Sequence, residues 1–289
     1  MTPSPLPKGT SSGRRSLRIV TQNCYGLPFT YRHPRFEAIA RRLEGLNADL
    51  VFLQEVIFAG DERKFSLPGY DCAWSPGNAI NRGGLLTLSR SPIESCRFHP
   101  FRKQGDLRTM QWSDRLLGKG WLECSIPEWD LLAVNVHLVS TYKERVFTHD
   151  KVQESQLVQL LGHLKRPTRV VLGGDFNFMS GTPYHGQLTS NLEDISQGLP
   201  ASGAVGCQPK IDHILVKGLG WTDAACQMIT PKTLVGPKGP LPWSDHAMIR
   251  VDLSLDRHEV PGYPGNEPAS APIPAPWDSL KARVSAASR

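Results

Sequence analysis

The sequence predicts an α/β fold in which two packed mixed β-sheets carry helices on their outer faces. Three observations lead there. Seven short runs rich in Val, Leu and Ile are bounded by Gly, Pro, Asn or Ser, which is strand composition. Two longer stretches between them repeat apolar residues with a helical period. Some intervals between strands are too short for a helical crossover, so antiparallel neighbours must mix with parallel ones. A doubly wound sheet is the alternative, but no GxGxxG or GxxxxGK supplies it with a nucleotide loop.

The elements follow in order. SLRIVTQN (16–23) is the first strand. FEAIARRLEGLNA (36–48) is a helix, with Phe36, Ile39, Ala40, Leu43 and Leu46 on one face. DLVFLQEV (49–56) and GLLTLS (84–89) are strands, and GLLTLS reads as a meander neighbour of WLECSI (121–126). DLLAVNVHLV (130–139) is the next strand. VQESQLVQLLGHLK (152–165) is a second helix, aligned on Leu157, Leu160, Leu161 and Leu164. RVVLGGDFNF (169–178), HILVKG (213–218) and AMIRVDLSL (247–255) complete the set.

The ends differ from this middle. Residues 1–16 read as a disordered basic arm, 17–255 as the one folded domain, and 256–289 as a Pro/Ala-rich tail. The core is a size that one domain can bury. Net charge is +6. Lys8, Arg14, Arg15 and Arg18 give the first 18 residues +4, and the tail balances four acids against four bases. The core therefore keeps +2, which gives a nucleic-acid reading little support. Its most basic stretch is 97–120, with Arg97, Arg102, Lys103, Arg108, Arg115 and Lys119 against two Asp. That stretch suits phosphates or anionic headgroups. Trp112 and Trp121 stand near its end and suit packing or an interface.

No apolar run of about 20 residues exists to span a membrane, and no secretory leader opens the chain. The expectation is a cytoplasmic protein, with peripheral membrane contact left open and no obligate protein partner. The six cysteines lie far apart without a CxxC, so most are expected to be small buried fillers rather than a zinc cluster or disulfide framework.

Polar residues gather where strands end. The strands close with Asn23, with Gln54 and Glu55, with Asn135 and His137, and with Asp175 and Asn177. Asp212 precedes HILVKG, and Asp245 and His246 precede AMIRV. Residues two apart on a strand share a face, and acids are seldom buried without partners. Each residue alone suits a turn or a solvated end, but six such endings together describe a site. Carboxylates and amides select a hard cation, Mg2+ with Mn2+ and Ca2+ as alternatives; the His and Cys set of structural zinc is missing. A cation at Glu55 would polarise a phosphate oxygen. Asp212 and His246 suit a carboxylate that orients an imidazole. No GxSxG is present for serine-esterase chemistry.

Six segments in order, TQNCYG (21–26), LQEV (53–56), NVHL (135–138), GGDFN (173–177), KIDHI (210–214) and WSDHAMI (243–249), resemble the endonuclease/exonuclease/phosphatase (DNase I-like) superfamily. The resemblance implies a four-layer α/β sandwich and a metal-dependent phosphodiester hydrolase. It gives Glu55 the principal metal, with Asn23 beside it and Asp245 organising the region. Asp175 would orient or deprotonate the attacking water, and Asn177 would hold a phosphate oxygen. His246 would contact the scissile phosphate with Asp212 as its orienter, and His137 takes the family's second histidine position.

Within the superfamily the motifs stand closest to neutral sphingomyelinases. NCYG resembles their NCWG, and RGGLLTLSRSPI (82–93) resembles their glycine–strand–Pro–Ile stretch. In SDRLLGKGW (113–121), Asp114 precedes Lys119 by five positions, as in those enzymes, where the pair bears on substrate access. Tyr142 follows in NVHLVSTY. Val136 departs from the threonine usual before this histidine. The implied substrate-binding residues are Lys119, Asp114 and Tyr142, and the implied partner is a phosphodiester, either a lipid headgroup or nucleic acid. The alternative function is an endonuclease/exonuclease or DNA-end-processing (DNA repair) enzyme of the same superfamily.

Overall fold

Alternation along the first strand sets the layers. In β1 (Ser16–Asn23), Leu17 and Ile19 face a core between two sheets, while Val20 faces a second core outside. The computed structural model describes residues 16–75, 83–105, 117–143, 146–147, 151–166, 168–200, 210–236 and 239–256. The arm up to residue 15, the tail from 257, and Arg108, Trp112, Asp114 and Arg115 lie outside the described residues.

α1 (Arg32–Leu46) begins four residues before the predicted helix. Pro34 is tolerated in its first turn, where backbone N–H groups have no intrahelical partner anyway. Asn47 ends it in the left-handed region, its N–H bonded to Leu43 O. β2 (Leu50–Gln54) runs parallel to β1. β3 (Asp71–Trp74) and β4 (Leu86–Ser89) extend that sheet antiparallel. β5 (Ser95–Pro100), β6 (Gly120–Ile126) and β7 (Leu131–His137) form a meander in the second sheet. β8 (Tyr142–Lys143) and β9 (Val146–Phe147) make a small hairpin.

α2 (Lys151–His163) then returns to β10 (Arg169–Asp175), which pairs parallel with β7. α3 (Pro183–Thr189) starts on Thr182, whose hydroxyl accepts from His185 N, with Pro183 at the favoured first position. β11 (Glu193–Asp194) and β12 (Asp212–Lys217) complete the second sheet. β13 (Trp221–Ile229), the hairpin β14 (Thr233–Gly236) and β15 (Gly239–Pro242), and β16 (Met248–Leu255) close the described chain.

The sheets run β13-β16-β1-β2-β4-β3 and β11-β12-β10-β7-β6-β5, each built around one parallel pair. α1 covers the outer face of the first through Phe36, Ile39 and Leu43. α2 and α3 cover the second through Leu157, Leu160 and Leu188. Two mixed sheets flanked by helices are the four-layer sandwich expected. Each fully buried Leu or Phe in these layers contributes about 1.5–3 kcal/mol.

Two expectations need correction. GLLTLS and WLECSI are not meander neighbours: β2 and β3 already occupy both edges of β4, and β5 and β7 those of β6. They meet face to face instead, Leu85 and Leu122 sharing the inter-sheet core. Among the described cysteines, Cys24 and Cys124 are buried fillers, but Cys72 and Cys96 are exposed. Among the described residues no helix is long and apolar enough to cross a membrane.

Candidate active site

The inter-sheet layer changes character along its length. Leu17 and Ile19 give way to Thr21 and Asn23 on β1, Ala133 to Asn135 and His137 on β7, and Val216 and Ile214 to Asp212 on β12. On β10, Val171 is followed by Gly173 and Asp175. A Cβ on Gly173 would stand 2.5 Å from the Phe52 ring, so glycine lets the sheets approach there. Several of these buried polar groups bond one another across the gap. Gln54 Nε2 donates to Asn135 Oδ1 at 2.8 Å, and Asn135 Nδ2 donates to Leu53 O and Leu86 O. Asn135 is thus a clamp between sheets, while His137, two residues on, reaches the site.

Glu55 lies one residue beyond β2, where strand alternation would send it outward with Leu53. Its φ of 61° turns it back. Asn177, two residues past Asp175 on the same face, is also left-handed, with φ 53°. Left-handed non-glycine residues cost free energy and gather at functional sites. Asp175 serves two purposes at once. Its Oδ1 accepts from Asn177 N at 2.9 Å, which makes a local Asx turn, while Oδ2 faces the site. One oxygen thus closes the turn while the other faces the polar cluster.

Around Asp175 Oδ2 stand Asn23 Nδ2 at 3.0 Å, His137 Nε2 at 3.3 Å and His246 Nε2 at 3.8 Å. Asn23 Nδ2 also donates to Glu55 Oε1 at 3.1 Å, and Asn23 Oδ1 accepts from Tyr25 N. Asn23 therefore presents its nitrogen, not its oxygen, to both acids. His246 Nδ1 sits 2.8 Å from Asp212 Oδ2. The WSDH turn is fixed by Ser244, whose hydroxyl donates to Asn23 O at 2.6 Å and accepts from His246 N. Asn177 Nδ2 donates to Leu138 O.

Lys119 is 3% exposed, and its Nζ lies 2.6 Å from His137 Nε2. A solvated turn lysine is thereby excluded. Its backbone is framed by Phe101 and Gln104. Trp121 is buried against His99, Phe101 and His163 rather than offered to a partner.

Charge follows burial and neighbours. Burial pushes Glu55 up to about 7 against the pull of Lys119, and Asp245 adds to the rise. Asp175 is raised by burial and by Asp212. His137 is held well below the ordinary histidine value by burial and by Lys119, so its Nε2 can accept from the ammonium. Burial opposes charge on His246 too, but Asp212 and Asp175 outweigh it and raise the imidazole well above 6.5.

The donor set suits a hard cation. Glu55 Oε2 and Asp245 Oδ1 are buried atoms without a hydrogen-bond partner, and an oxygen-seeking ion would satisfy both. Asp175, Asp212 and His246 also bring ligand-type atoms within 4.8 Å of one another.

Of the residues expected in the site, Asn23, Glu55, Lys119, His137, Asp175, Asn177, Asp212, Asp245 and His246 converge. Asp114 lies outside the described residues, and only the backbone of Tyr142, in β8, is described. Sequence reasoning missed the supports. Gln153 Nε2 on α2 donates to Val139 O, Phe176 O and Asn177 O. Behind Asp212, buried Asp194 gathers His185, Lys210, His213 and Ser196. The lysine of KIDHI was visible in the sequence; its acid partner, 16 residues earlier, carried no signal.

Fold and site together define a two-sheet α/β sandwich with a buried cluster of acids, amides and histidines at one end of its inter-sheet layer. A family model for the Endonuclease/Exonuclease/phosphatase family matches residues 20–246, and the chain belongs to that family. The chain is 29% identical over 277 residues to a putative neutral sphingomyelinase of Drosophila melanogaster, covering 84% of this chain and 62% of that protein. It is 28% identical over 186 residues to an inositol phosphosphingolipids phospholipase C of Schizosaccharomyces pombe, covering 60% and 44%. It thus spans less than two thirds of the length of either relative. Beta toxin from Staphylococcus aureus superposes with a TM-score of 0.65 at 19% identity, covering 81% of this chain and 99% of that one.

Proposed function

We propose that this protein is a metal-dependent, sphingomyelinase-like phosphodiesterase that cleaves by in-line attack of an activated water. The observation that carries the reading is buried Lys119, hydrogen-bonded to His137 beside Asp175. A lysine in the SDRLLGKGW segment, drawn into the site, is the feature that set the neutral sphingomyelinase resemblance apart. The relatives named above, both by name enzymes of sphingolipids, support the same substrate class.

Glu55 and Asp245 would hold Mg2+, which supplies Lewis-acid polarisation of a phosphate oxygen. The chain's own groups do the rest. Asp175, fixed by Asn177 N and Asn23 Nδ2, orients the attacking water and takes its proton. His246, held charged by Asp212, donates to a phosphate oxygen through Nε2 and serves proton transfer. Lys119 supplies a second cationic donor, and the Asn177 amide a neutral one. Asp114 and Tyr142 would line the path of the headgroup.

The test is phosphocholine release from sphingomyelin in mixed micelles, with Mg2+ and with EDTA. Asp175→Ala and His246→Ala should each lower kcat at least about 10²-fold, as expected on losing an acid–base partner, with thermal melts near wild type. Near-wild-type rates would refute the assignment. No release from any sphingolipid, together with metal-dependent cleavage of duplex or single-stranded DNA, would move the substrate to nucleic acid.

A further inference from the structure

We propose that His99, Glu123 and His163 form a second metal site, one that takes a transition-metal dication of the Zn2+ class. The site is separate from the candidate active site and lies on the outer face of the second sheet. His99 is on β5 and Glu123 on β6, where Trp121 is the ladder partner of His99. Trp121 belongs to the outer core, so Glu123, two residues on, shares its face. His163 is the last residue of α2, which packs over that face. Three elements thus deliver two imidazoles and a carboxylate to one point.

Ligand-type atoms of the three residues all lie within 4.8 Å of one another. His163 Nε2 bonds Glu123 Oε2, and His99 Nε2 stands 3.9 Å from the same oxygen. His99 Nε2 is buried and has no hydrogen-bond partner. A buried polar atom left this way needs a reason, and a metal at the centre of the three supplies one. Zn–N bonds of about 2.0–2.1 Å and Zn–O bonds of about 2.0–2.2 Å place tetrahedral ligand atoms roughly 3.4 Å apart. Small shifts of the Glu123 carboxylate bring the set there.

The rings are already aimed. His99 stacks on Trp121 with centroids 4.9 Å apart and planes 8° from parallel. His163 is packed at 4.7 Å from His99 and 5.2 Å from Trp121. The three side chains retain 15–17% exposure, which leaves a fourth position open to water. Two nitrogens and one oxygen favour a borderline-soft ion, whereas the all-oxygen pair of Glu55 and Asp245 favours a hard one. The sequence hides the site because His99, Glu123 and His163 are 24 and 40 residues apart with no recognisable spacing.

The ion would act as a clamp. It would tie the C-terminal end of α2 to β5 and β6, while Gln153 near the other end of α2 holds the backbone at Asn177. Its occupancy should therefore register first as stability.

The experiment uses the full chain, stripped with EDTA and titrated with Zn2+ against a competing chromophoric chelator. Glu55→Gln removes the active-site carboxylate; His99→Gln and His163→Gln remove the proposed ligands, one from a strand and one from a helix. Near-UV circular dichroism in EDTA shows which variants fold. Wild type and Glu55→Gln should each bind one Zn2+ and gain thermal stability from it. Both histidine variants should lose that equivalent and that gain. Co2+ should quench tryptophan emission in wild type and do so much less in Trp121→Phe. Zn2+ bound equally by wild type and the folded histidine variants, or lost with Glu55→Gln, or not bound at all, would overturn the proposal.

Discussion

Replacing Lys119 with Met keeps the side-chain stem and removes only the ammonium. The surrounding frame does not depend on that charge. Lys119 N donates to Gln104 Oε1, Lys119 O accepts from Phe101 N and Gln104 Nε2, and the stem is buried. The fold should therefore survive, as a melt and a circular dichroism spectrum would show. The chemistry should not. Lys119 is 3% exposed, its ammonium lies 2.6 Å from His137 Nε2, and His137 Nε2 is 3.3 Å from Asp175 Oδ2. A donor so placed, in a site shielded from water, resembles an oxyanion donor, whose loss costs about 10²–10³ in kcat, or about 2.7–4 kcal/mol. The assay is initial-rate hydrolysis of a chromogenic phosphodiester and of sphingomyelin, each with Mg2+. Lys119→Arg tests geometry: it keeps the charge, but its planar fork does not fit a pocket shaped around His137. A folded Lys119→Met protein with kcat within about threefold of wild type, a difference under about 1 kcal/mol, would refute the placement of Lys119 in the reaction.

Two further predictions concern the frame that carries the site. Asp194→Asn removes the carboxylate shared by His185, His213 and the buried Lys210 ammonium. Breaking a buried pair on one side costs about 3–5 kcal/mol, which in a domain this size is on the order of 10 °C in Tm; scanning calorimetry at pH 7 would measure it. Burial works against the Asp194 charge, yet bonds from His213, Lys210 and Ser196 overcome it and hold the carboxyl far below 3.8. Its stabilisation is therefore whole above the ordinary carboxylate value and drains away as pH falls below it. The Tm gap between wild type and variant should narrow only on the acid side of about pH 4; a gap independent of pH there would contradict the assignment. Gly174→Ala should be as damaging, because φ is 150° and the new Cβ would stand 2.0 Å from Val136 O, across the β7–β10 pair. The backbone conformation alone costs about 1–3 kcal/mol, to which the clash adds; a urea midpoint equal to wild type would refute the close approach.

Much of this was legible because chemistry concentrates where strands end. The middles of SLRIVTQN, DLVFLQEV and RVVLGGDFNF hold unbroken apolar runs (IV, LVFL and VVL), as strands covered on both faces do. The switch to amides and acids marked the site. What escaped has physical reasons. β13 is a nine-residue edge strand covered on one side only, and residues such as Asp223 and Gln227 interrupt its apolar pattern. α3 is seven residues long, too short for a helical period to show, although Thr182-Pro183 is a capping signal. The pairing of β4 and β6 was misread because both are apolar and close in sequence, and alternation gives a face but not a sheet. Asn177 shares a strand face with Asp175, but alternation would send Glu55 outward with Leu53. Left-handed backbone at Glu55 turns it back, and no sequence period encodes it.

The site's formal charges explain why its acids are perturbed. Glu55, Asp175, Asp212 and Asp245 bring four negative charges to one end of the inter-sheet layer. Lys119 and the charged His246 return two. A buried surplus of two negative charges is costly, and without a counter-ion the protein can reduce it only by holding protons. Glu55 and Asp175 are the groups pushed upward, and Asp245 and Asp212 are the neighbours that push them after burial itself. A divalent cation beside Glu55 Oε2 and Asp245 Oδ1 would remove that surplus and free both carboxylates of their protons. Asp175 would then meet a water as a base rather than as an acid. The same ion that polarises the phosphate would thus also set the protonation state that the attack requires, which is a physical reason for acids, amides and one lysine to share this cleft.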